Sequence, residues 1–281
     1  MRRALQLACN GAGHVSPNPM VGAVIVNAGG RIIGEGWHRR YGGPHAEVNA
    51  FADVKPEDEH LLPESTIYVT LEPCSHYGKT PPCAELVVRK GVKRVVVGCG
   101  DPNPKVAGRG IRMIREAGIE VTENCLEEEC RFLNRRFMTA HTLRRPWILL
   151  KWAQRADGSM EGQVSTPLSA ALMHRERTLC DAILVGTNTI LSDHPSLTAR
   201  LWPGESPKPV AFRSPRIPED VKFAGREPIW LNPEISLKEN MEYLFREHGV
   251  TSLMVEGGRR LLDSFMAEGL YDEIRIETAE E

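Results

Sequence analysis

Short apolar segments alternate with amphipathic segments along this chain. Segments 65–71 and 94–100 are rich in valine and other strand-forming residues, which predicts β-strands. The second of them has the nearly continuous apolar character of a parallel strand that is buried on both faces. Segment 83–91 carries apolar residues at helical spacing and ends at Gly91, which predicts a helix. Strands that alternate with helices predict an α/β fold.

The alternation stops near 144–146, where two arginines precede a proline, and then begins again. We therefore predict two α/β domains, 1–143 and 146–281, each of ordinary size for a domain. In the second domain, Thr166 and Pro167 suit the N-cap and first position of a helix. The pattern also predicts one long helix over 127–142 and a strand within 181–191.

Composition and charge exclude several classes of protein. The chain has 281 residues, 41% of them hydrophobic and 26% charged, with a formal net charge of -2. This balance argues against disorder and against a nucleic-acid partner. No apolar stretch reaches the roughly 20 residues of a membrane helix. Seven cysteines without a recognisable signal peptide favour a reducing compartment, so we expect a cytoplasmic protein.

Two short motifs contain the residues of a zinc site. His45 and Glu47 stand in HAEVNA, and Cys74 and Cys83 stand in EPCSHYGKTPPC. One imidazole and two thiolates suit Zn²⁺ and leave a fourth coordination position open for catalysis. Glu47 can then act as the proton shuttle beside that position, as in zinc deaminases of nucleobases. The eight residues between the cysteines depart from the usual C-x-x-C spacing, and each motif alone is a weak signal.

Three stretches together resemble the deaminase domain of the bifunctional riboflavin-biosynthesis deaminase/reductases, the RibD family. They are SPNPMVGAVIV, GGPHAEVNA and EPCSHYGKTPPC, where the long insert between the cysteines is distinctive. The resemblance implies a cytidine-deaminase-like α/β/α domain that acts on a phosphoribosylamino-diaminopyrimidinone. It also implies that the substrate pocket is lined by Asn18, His38, His76 and Lys79. Their ordinary alternatives are a turn residue for Asn18, a strand end for His38 and a solvated loop residue for Lys79.

The second half is similar to the reductase domain of the same family. The resemblance lies in Lys151, in DAILVGTNTILSDHPSLTAR (181–200) and in MVEGGRRLL, which has two glycines at a strand-to-helix turn suited to phosphate. It implies a dihydrofolate-reductase-like α/β fold, NADPH as cofactor and a homo-oligomer, either a dimer or a tetramer. The implied substrate-binding residues are Lys151, Arg177, Arg200 and Glu256. The implied cofactor-binding residues are Gln154, Thr189, Asp193, Gly257 and Gly258.

The second half also departs from the family pattern. The segment before Thr166 is short, and Gln163 stands where the family often has a tryptophan. Segment 203–223 is abbreviated, and the family continues with further strands after the last one here. The sequence is therefore either a compact reductase or one that lacks terminal segments. A deaminase of nucleosides or nucleic-acid bases with a non-catalytic second domain is the alternative.

Overall fold

The computed structural model of the chain describes residues 1–77, 81–102, 107–160 and 164–279. Lys79 and Gln163, both considered above, lie outside these ranges. The chain forms two compact units, Met1–Thr142 and Leu143–Glu281. Among the described residues, no helix is both long and apolar enough to cross a membrane.

The first unit is built on a five-stranded sheet with the strand order β2-β1-β3-β4-β5. Its strands are β1 (Gly22–Val26), β2 (Ile32–Trp37), β3 (Thr66–Leu71), β4 (Arg94–Cys99) and β5 (Glu120–Thr122). Its helices are α1 (Arg2–Cys9), α2 (Ala46–Asp53), α3 (Cys83–Lys90), α4 (Arg109–Glu116), α5 (Glu127–Leu133) and α6 (Arg135–Leu143), with a 3-10 helix over Pro56–Glu64. The first two strands form an antiparallel hairpin, and β3, β4 and β5 are parallel.

Glycines allow two helices of this unit to lie directly against the sheet. A Cβ atom at Gly22 would lie 2.0 Å from the carbonyl oxygen of Ala4 in α1, and one at Gly36 would lie 2.3 Å from the backbone nitrogen of Ala50 in α2. Any larger residue would push these helices outward. The close approach fixes α2, whose first turn carries the HAE motif, against β2.

The prediction of one helix over 127–142 is wrong, because the helix breaks at Asn134. The backbone of Asn134 leaves the helical region at ψ 20°, and α6 starts after it. The buried Asn134 side chain accepts a hydrogen bond from the Met20 N–H at 2.8 Å and donates one to the Met20 carbonyl at 2.8 Å. This paired contact fixes the loop that carries Asn18.

The second unit contains a six-stranded, fully parallel sheet with the order β11-β6-β10-β7-β8-β9. Its strands are β6 (Trp147–Gln154), β7 (Ala182–Leu184), β8 (Lys208–Phe212), β9 (Ile229–Leu231), β10 (Ser252–Glu256) and β11 (Glu273–Thr278). Its helices are α7 (Pro167–Thr178), α8 (Thr187–Asp193), α9 (Leu237–His248) and α10 (Arg259–Ala267). The α/β class predicted from the sequence is confirmed in both units.

Helix α7 begins as predicted, since the Thr166 side chain accepts a hydrogen bond from the Ser169 N–H and Pro167 is the first helical residue. A strand lies within 181–191, as predicted, and it spans Ala182–Leu184. After Leu184 the chain leaves the sheet, and Gly186 becomes the N-cap of α8. Ile190 is buried as part of this helix.

Candidate active sites

Three metal-ligating side chains come together in the first unit. His45 Nδ1 lies 3.5 Å from Cys74 Sγ and 3.3 Å from Cys83 Sγ, and the three ligand atoms lie within 4.8 Å of one another. With Zn–S bonds of about 2.3 Å and Zn–N bonds of about 2.05 Å, tetrahedral zinc places sulfur and nitrogen about 3.6 Å apart. The donor set and its spacing therefore fit a zinc ion.

Two helix starts and one strand end position these ligands. His45 directly precedes α2, Cys83 is the first residue of α3, and Cys74 follows the end of β3. The Cys83 N–H donates a hydrogen bond to Cys74 Sγ at 3.3 Å. Hydrogen bonding from the Cys83 thiol, together with the neighbouring His45, lowers the pKa of Cys74 to about 4. Cys74 is therefore ready to bind a cation as the thiolate.

Glu47 lies beside the ligand cluster in the first turn of α2 and is only 3% exposed. Its carboxyl group hydrogen-bonds the Cys83 side chain and interacts electrostatically with Cys74 and His45. Burial, followed by the nearby Cys74 sulfur, raises the pKa of Glu47 to about 7. A carboxyl group with such a pKa can both accept and release a proton near neutral pH.

His38 lies next to this cluster, but it is buried and both of its ring nitrogens have protein partners. Nδ1 lies 2.9 Å from the Pro44 carbonyl oxygen, and Nε2 lies 3.1 Å from the amide nitrogen of Asn18. Since a carbonyl can only accept, Nδ1 carries the proton and Nε2 accepts from Asn18. Burial lowers the pKa of His38, which favours this neutral form. His38 thus turns the Asn18 oxygen away from itself and supports the loop before His45.

Glu72 is a site residue that the sequence analysis missed. It is 4% exposed, and its two carboxylate oxygens accept hydrogen bonds from the N–H groups of Gly108 at 2.9 Å and Gly110 at 3.0 Å. It thereby caps α4 and holds the start of that helix against the EPC motif. A Cβ atom at Gly110 would lie 2.0 Å from the Pro73 carbonyl oxygen, so the contact requires glycine. The signal in the sequence that could have identified Glu72 is its place directly after a predicted strand.

Two further residues, His76 and Lys79, were expected in the deaminase pocket. His76 is exposed in the loop after Cys74. Lys79 lies outside the described residues. The roles suggested for both remain predictions.

Three of the four predicted substrate-binding residues of the reductase come together beside two adjacent strands of the second unit. Lys151 on β6 is the register partner of Glu256 on β10. Arg177 of α7 donates to both oxygens of Glu256, at 2.9 and 2.6 Å, and its third nitrogen donates to the Thr198 carbonyl at 2.8 Å. A guanidinium held in this way is rigid and well suited to bind an anion through its remaining edge.

Glu277 on β11 adds a carboxylate that the sequence analysis did not single out. It lies 3.7 Å from Lys151 Nζ and accepts hydrogen bonds from the hydroxyl groups of Ser165, at 2.7 Å, and Ser169. The Lys151 ammonium group is thus positioned by a side chain near the end of the described chain.

The loop that carries Arg200 is hydrogen-bonded to α7 and to Arg226. His174 Nδ1 accepts from the Leu201 N–H at 3.1 Å, and Arg226 donates to the carbonyl oxygens of Ser196 and Leu197 at 2.9 and 2.7 Å. Arg200 itself is exposed and donates to the Ser196 hydroxyl at 2.9 Å. Burial, with the charges of Arg177 and Arg200, lowers the pKa of His174.

Most of the predicted cofactor-binding residues lie at the carboxyl ends of neighbouring parallel strands. A Cβ atom at Gly257, after β10, would lie 3.4 Å from the Gly186 nitrogen, and one at Gly258 would lie 3.9 Å from Thr189 Oγ1. These glycine turns lead into α8 and α10, where backbone N–H groups can bind phosphate. This arrangement fits the pyrophosphate of a dinucleotide. Asp193 is exposed near the end of α8, and Gln154 accepts a hydrogen bond from Trp152 at 2.7 Å.

Comparison with known proteins agrees with both halves of the chain. A sequence model of the cytidine and deoxycytidylate deaminase zinc-binding region matches residues 1–99, and one of the RibD C-terminal domain matches residues 146–279. A riboflavin biosynthesis protein RibD from Aquifex aeolicus (strain VF5) is 38% identical over 98% of this chain and 85% of its own length. The chain belongs to the RibD family. It is accordingly a bifunctional enzyme of riboflavin biosynthesis, with a zinc-dependent deaminase domain and an NADPH-dependent reductase domain.

Solved structures of RibD proteins have the same fold. RibD of Acinetobacter baumannii superposes with a TM-score of 0.91 at 33% identity and covers 100% of this chain and 85% of that one. A diaminohydroxyphosphoribosylaminopyrimidine deaminase/5-amino-6-(5-phosphoribosylamino)uracil reductase from Thermotoga maritima has a TM-score of 0.87 at 37% identity, covering 95% of this chain and 82% of that one. The alternative of a deaminase with a non-catalytic second domain is not favoured, because the RibD C-terminal domain matches nearly all of the second unit.

Proposed function

We propose that the deaminase domain acts on 2,5-diamino-6-(5-phosphoribosylamino)pyrimidin-4-one and that the reductase domain then converts the ribosyl group to ribityl with NADPH. The observation that carries the proposal is the cluster of His45, Cys74 and Cys83 with the buried Glu47 beside it. The T. maritima relative is named as a deaminase of diaminohydroxyphosphoribosylaminopyrimidine and a reductase of 5-amino-6-(5-phosphoribosylamino)uracil.

In the first step, water replaces the amino group on an amidine-type ring carbon. His45, Cys74 and Cys83 would hold the zinc ion, which when bound lowers the pKa of water and so supplies a nucleophile at neutral pH. Glu47 takes the proton of the attacking water and delivers it to the ring nitrogen. A C–O bond forms, the C–N bond breaks, and ammonia leaves after Glu47 has transferred a second proton to it.

Asn18 orients the pyrimidine in this step. Its amide nitrogen donates to His38, so its Oδ1 is the atom available to accept a hydrogen bond from the amino group of a pyrimidine. His38 therefore acts by positioning Asn18 instead of touching the substrate. Lys79 and His76 complete the expected pocket on the side of the phosphoribosyl group.

In the second step, a hydride is added at C1′ of the ribose of the deaminated product, the C1′–O4′ bond of the ring breaks, and a proton is taken up at O4′. NADPH, when bound, would supply the hydride. Lys151, held by Glu277, lies at the carboxyl half of β6 and orients the ribose. Arg177 and Arg200 bind the phosphate, which remains on the molecule through both steps, and the Arg177–Glu256 pair keeps one of these cations in place.

Separation of the two activities tests these assignments. Glu47→Gln should abolish deamination while zinc content and reduction of the deaminated intermediate remain. Arg177→Gln should abolish reduction while deamination of the first substrate remains. Each variant is the control for the other, because the mutated residues lie in different units. Native rates of deamination in Glu47→Gln would refute the role of this carboxylate.

We also propose a cytoplasmic location and a homo-oligomeric state. All seven cysteines are free thiols, which supports a reducing compartment. Ile274 and Ile276 are exposed on the edge strand β11, which supports an association that covers them. Light scattering should give twice or four times the mass of the chain, and the mass of a single chain would contradict the oligomer.

A further inference from the structure

We propose that Arg226 is a positioning residue of the reductase, which holds the loop 196–200 in the conformation that directs Arg200 at the substrate phosphate. The inference rests on the proposed reductase function, in which Arg177 and Arg200 bind that phosphate. None of the roles above is assigned to Arg226.

A tight turn presents Arg226 to this loop. Phe223 and Arg226 form an antiparallel bridge, with hydrogen bonds in both directions at 2.9 and 3.1 Å. The two residues between them, Ala224 and Gly225, have φ angles of 49° and 80°, as in the two-residue turns of hairpins. Phe223 is buried in the same apolar cluster as Leu197 of the loop. The turn is therefore packed beside the loop.

The guanidinium group of Arg226 donates hydrogen bonds to four backbone carbonyl oxygens. Nη2 donates to those of Ser196 and Leu197, at 2.9 and 2.7 Å. Nη1 donates to that of Pro207, and Nε donates to that of Phe223 at 3.3 Å. One side chain thus joins the loop, the residue before β8 and the turn. This pattern requires the planar fork of N–H donors that arginine has and lysine lacks.

The backbone of Leu197 needs such support. Its φ angle of 51° lies in the left-handed region, which is unfavourable for a residue with a Cβ atom. Backbone strain of this kind persists only where the surrounding structure holds it, and it is common at functional sites. The hydrogen bonds from Arg226 to the carbonyl oxygens of Ser196 and Leu197 act directly on this strained segment.

Ser196 connects the strained segment to the phosphate-binding arginines. Its hydroxyl group accepts a hydrogen bond from Arg200 at 2.9 Å. Two residues further along, the Thr198 carbonyl accepts one from Arg177 at 2.8 Å. Displacement of the Ser196 backbone would remove the acceptor that orients Arg200.

The charge of Arg226 also acts near this site. In the part of the chain that the structure describes, Arg226 forms no ion pair, and its hydrogen-bond partners are neutral carbonyl groups. Burial, followed by the charge of Arg177, lowers the pKa of Arg226. A carboxylate partner would hold the loop as well, but it would weaken the attraction for a doubly charged phosphate.

Reductase kinetics test the proposal. In Arg226→Ala, the KM for the deaminated phosphoribosyl compound should rise on the order of 10- to 100-fold, while kcat and the KM for NADPH remain near their wild-type values. Guanidinium ion, at concentrations too low to unfold the wild type, should lower the raised KM because it replaces the lost group. The control is Arg246→Ala, which removes an exposed arginine that pairs with Glu247 on α9 and should change neither KM.

Two further variants separate positioning from general stability. Ser196→Ala removes the link to Arg200, so the double variant with Arg226→Ala should be no worse than the more severe single variant. Arg226→Lys keeps the charge but loses the fork and should give an intermediate KM, which provides the test if the alanine variant does not fold. Multiplicative effects in the double variant, equal losses in kcat and both KM values, or a wild-type KM in both Arg226 variants would overturn the inference.

Binding of ribose 5-phosphate distinguishes this inference from the proposed function. Calorimetry should show on the order of 10-fold weaker binding in Arg226→Ala than in the wild type. If this difference were found but the wild type did not reduce the deaminated compound with NADPH, the proposed function would fall and the role of Arg226 in phosphate binding would stand. Equal binding by both proteins, with normal reduction by the wild type, would overturn the inference alone.

Discussion

Replacement of Glu72 by glutamine should loosen the start of α4 and, with it, the zinc site. Glu72 follows β3 directly and stands two residues before Cys74, so its position and that of the ligand are coupled. Each of its oxygens accepts one short hydrogen bond, from Gly108 at 2.9 Å and from Gly110 at 3.0 Å. Longer contacts reach the N–H groups of Asp101 and Ile111, at 3.5 and 3.4 Å.

The size of the effect follows from these contacts. In the glutamine variant one oxygen becomes an NH₂ group that faces an N–H donor, so at least one charge-assisted hydrogen bond is lost and the other weakens. Such bonds contribute about 1.5–3 kcal/mol each, and the lost negative charge at a helix N-terminus adds up to about 1 kcal/mol. We expect the free energy of local opening at α4 to fall by about 3 kcal/mol. This corresponds to roughly 100-fold faster amide exchange.

Hydrogen exchange followed by mass spectrometry measures this segment separately from the rest of the chain. The control is Glu116→Gln, which removes a carboxylate from the other end of the same helix, where a negative charge is slightly unfavourable. Exchange in α4 should be unchanged or slower in the control. If Glu72→Gln exchanged at the wild-type rate and retained its zinc affinity, the positioning role of Glu72 would be refuted.

Three further predictions concern other contacts. Gly110→Ala should destabilise the first unit by several kcal/mol, because the new methyl group would lie 2.0 Å from the Pro73 carbonyl oxygen. Urea unfolding measures this loss, and an unfolding midpoint equal to that of the wild type would contradict the close contact at Gly110. Glu277→Gln should raise the KM of the reductase for its phosphoribosyl substrate about tenfold without affecting deamination, because Lys151 loses its carboxylate partner. Steady-state assays of deamination and of reduction measure both effects, and an unchanged KM would contradict the positioning of Lys151 by Glu277. The second unit should lose stability as the pH falls below about 6.5, because the pKa of His174 is lowered in the fold and the unfolded chain is protonated first. His174→Asn, which keeps an acceptor for Leu201, should flatten that pH profile in thermal unfolding, and an unchanged profile would exclude His174 as the cause.

Local sequence signals were sufficient for most elements and for the zinc ligands. HAE at a helix start and Pro-Cys after a strand specify both residue type and element, so convergence of His45, Cys74 and Cys83 could be expected. The helix break at Asn134 could not be predicted, because it depends on a hydrogen bond with the backbone of Met20, which is 114 residues away. The spacing of apolar residues along the chain indicates which side chains are buried, but it contains no information about such tertiary hydrogen bonds.

The contacts of His38 and Glu277 could not be predicted for a related reason. From sequence, a histidine near a zinc motif suggests contact with the substrate, whereas in the fold both of its nitrogens are engaged by Asn18 and Pro44. Glu277 lies in an alternating strand and carries no motif. Its contact with Lys151 arises only because β11 pairs in parallel with β6.

The most direct test of the whole account is mass spectrometry of the products formed from the phosphoribosylamino-diaminopyrimidinone, with and without NADPH. We expect one amino group to be exchanged for oxygen in the absence of NADPH, and two hydrogens to be added as well in its presence. Deamination alone under both conditions would contradict the function proposed for the second unit. If the zinc-loaded enzyme left the compound unchanged, the proposed substrate would be wrong.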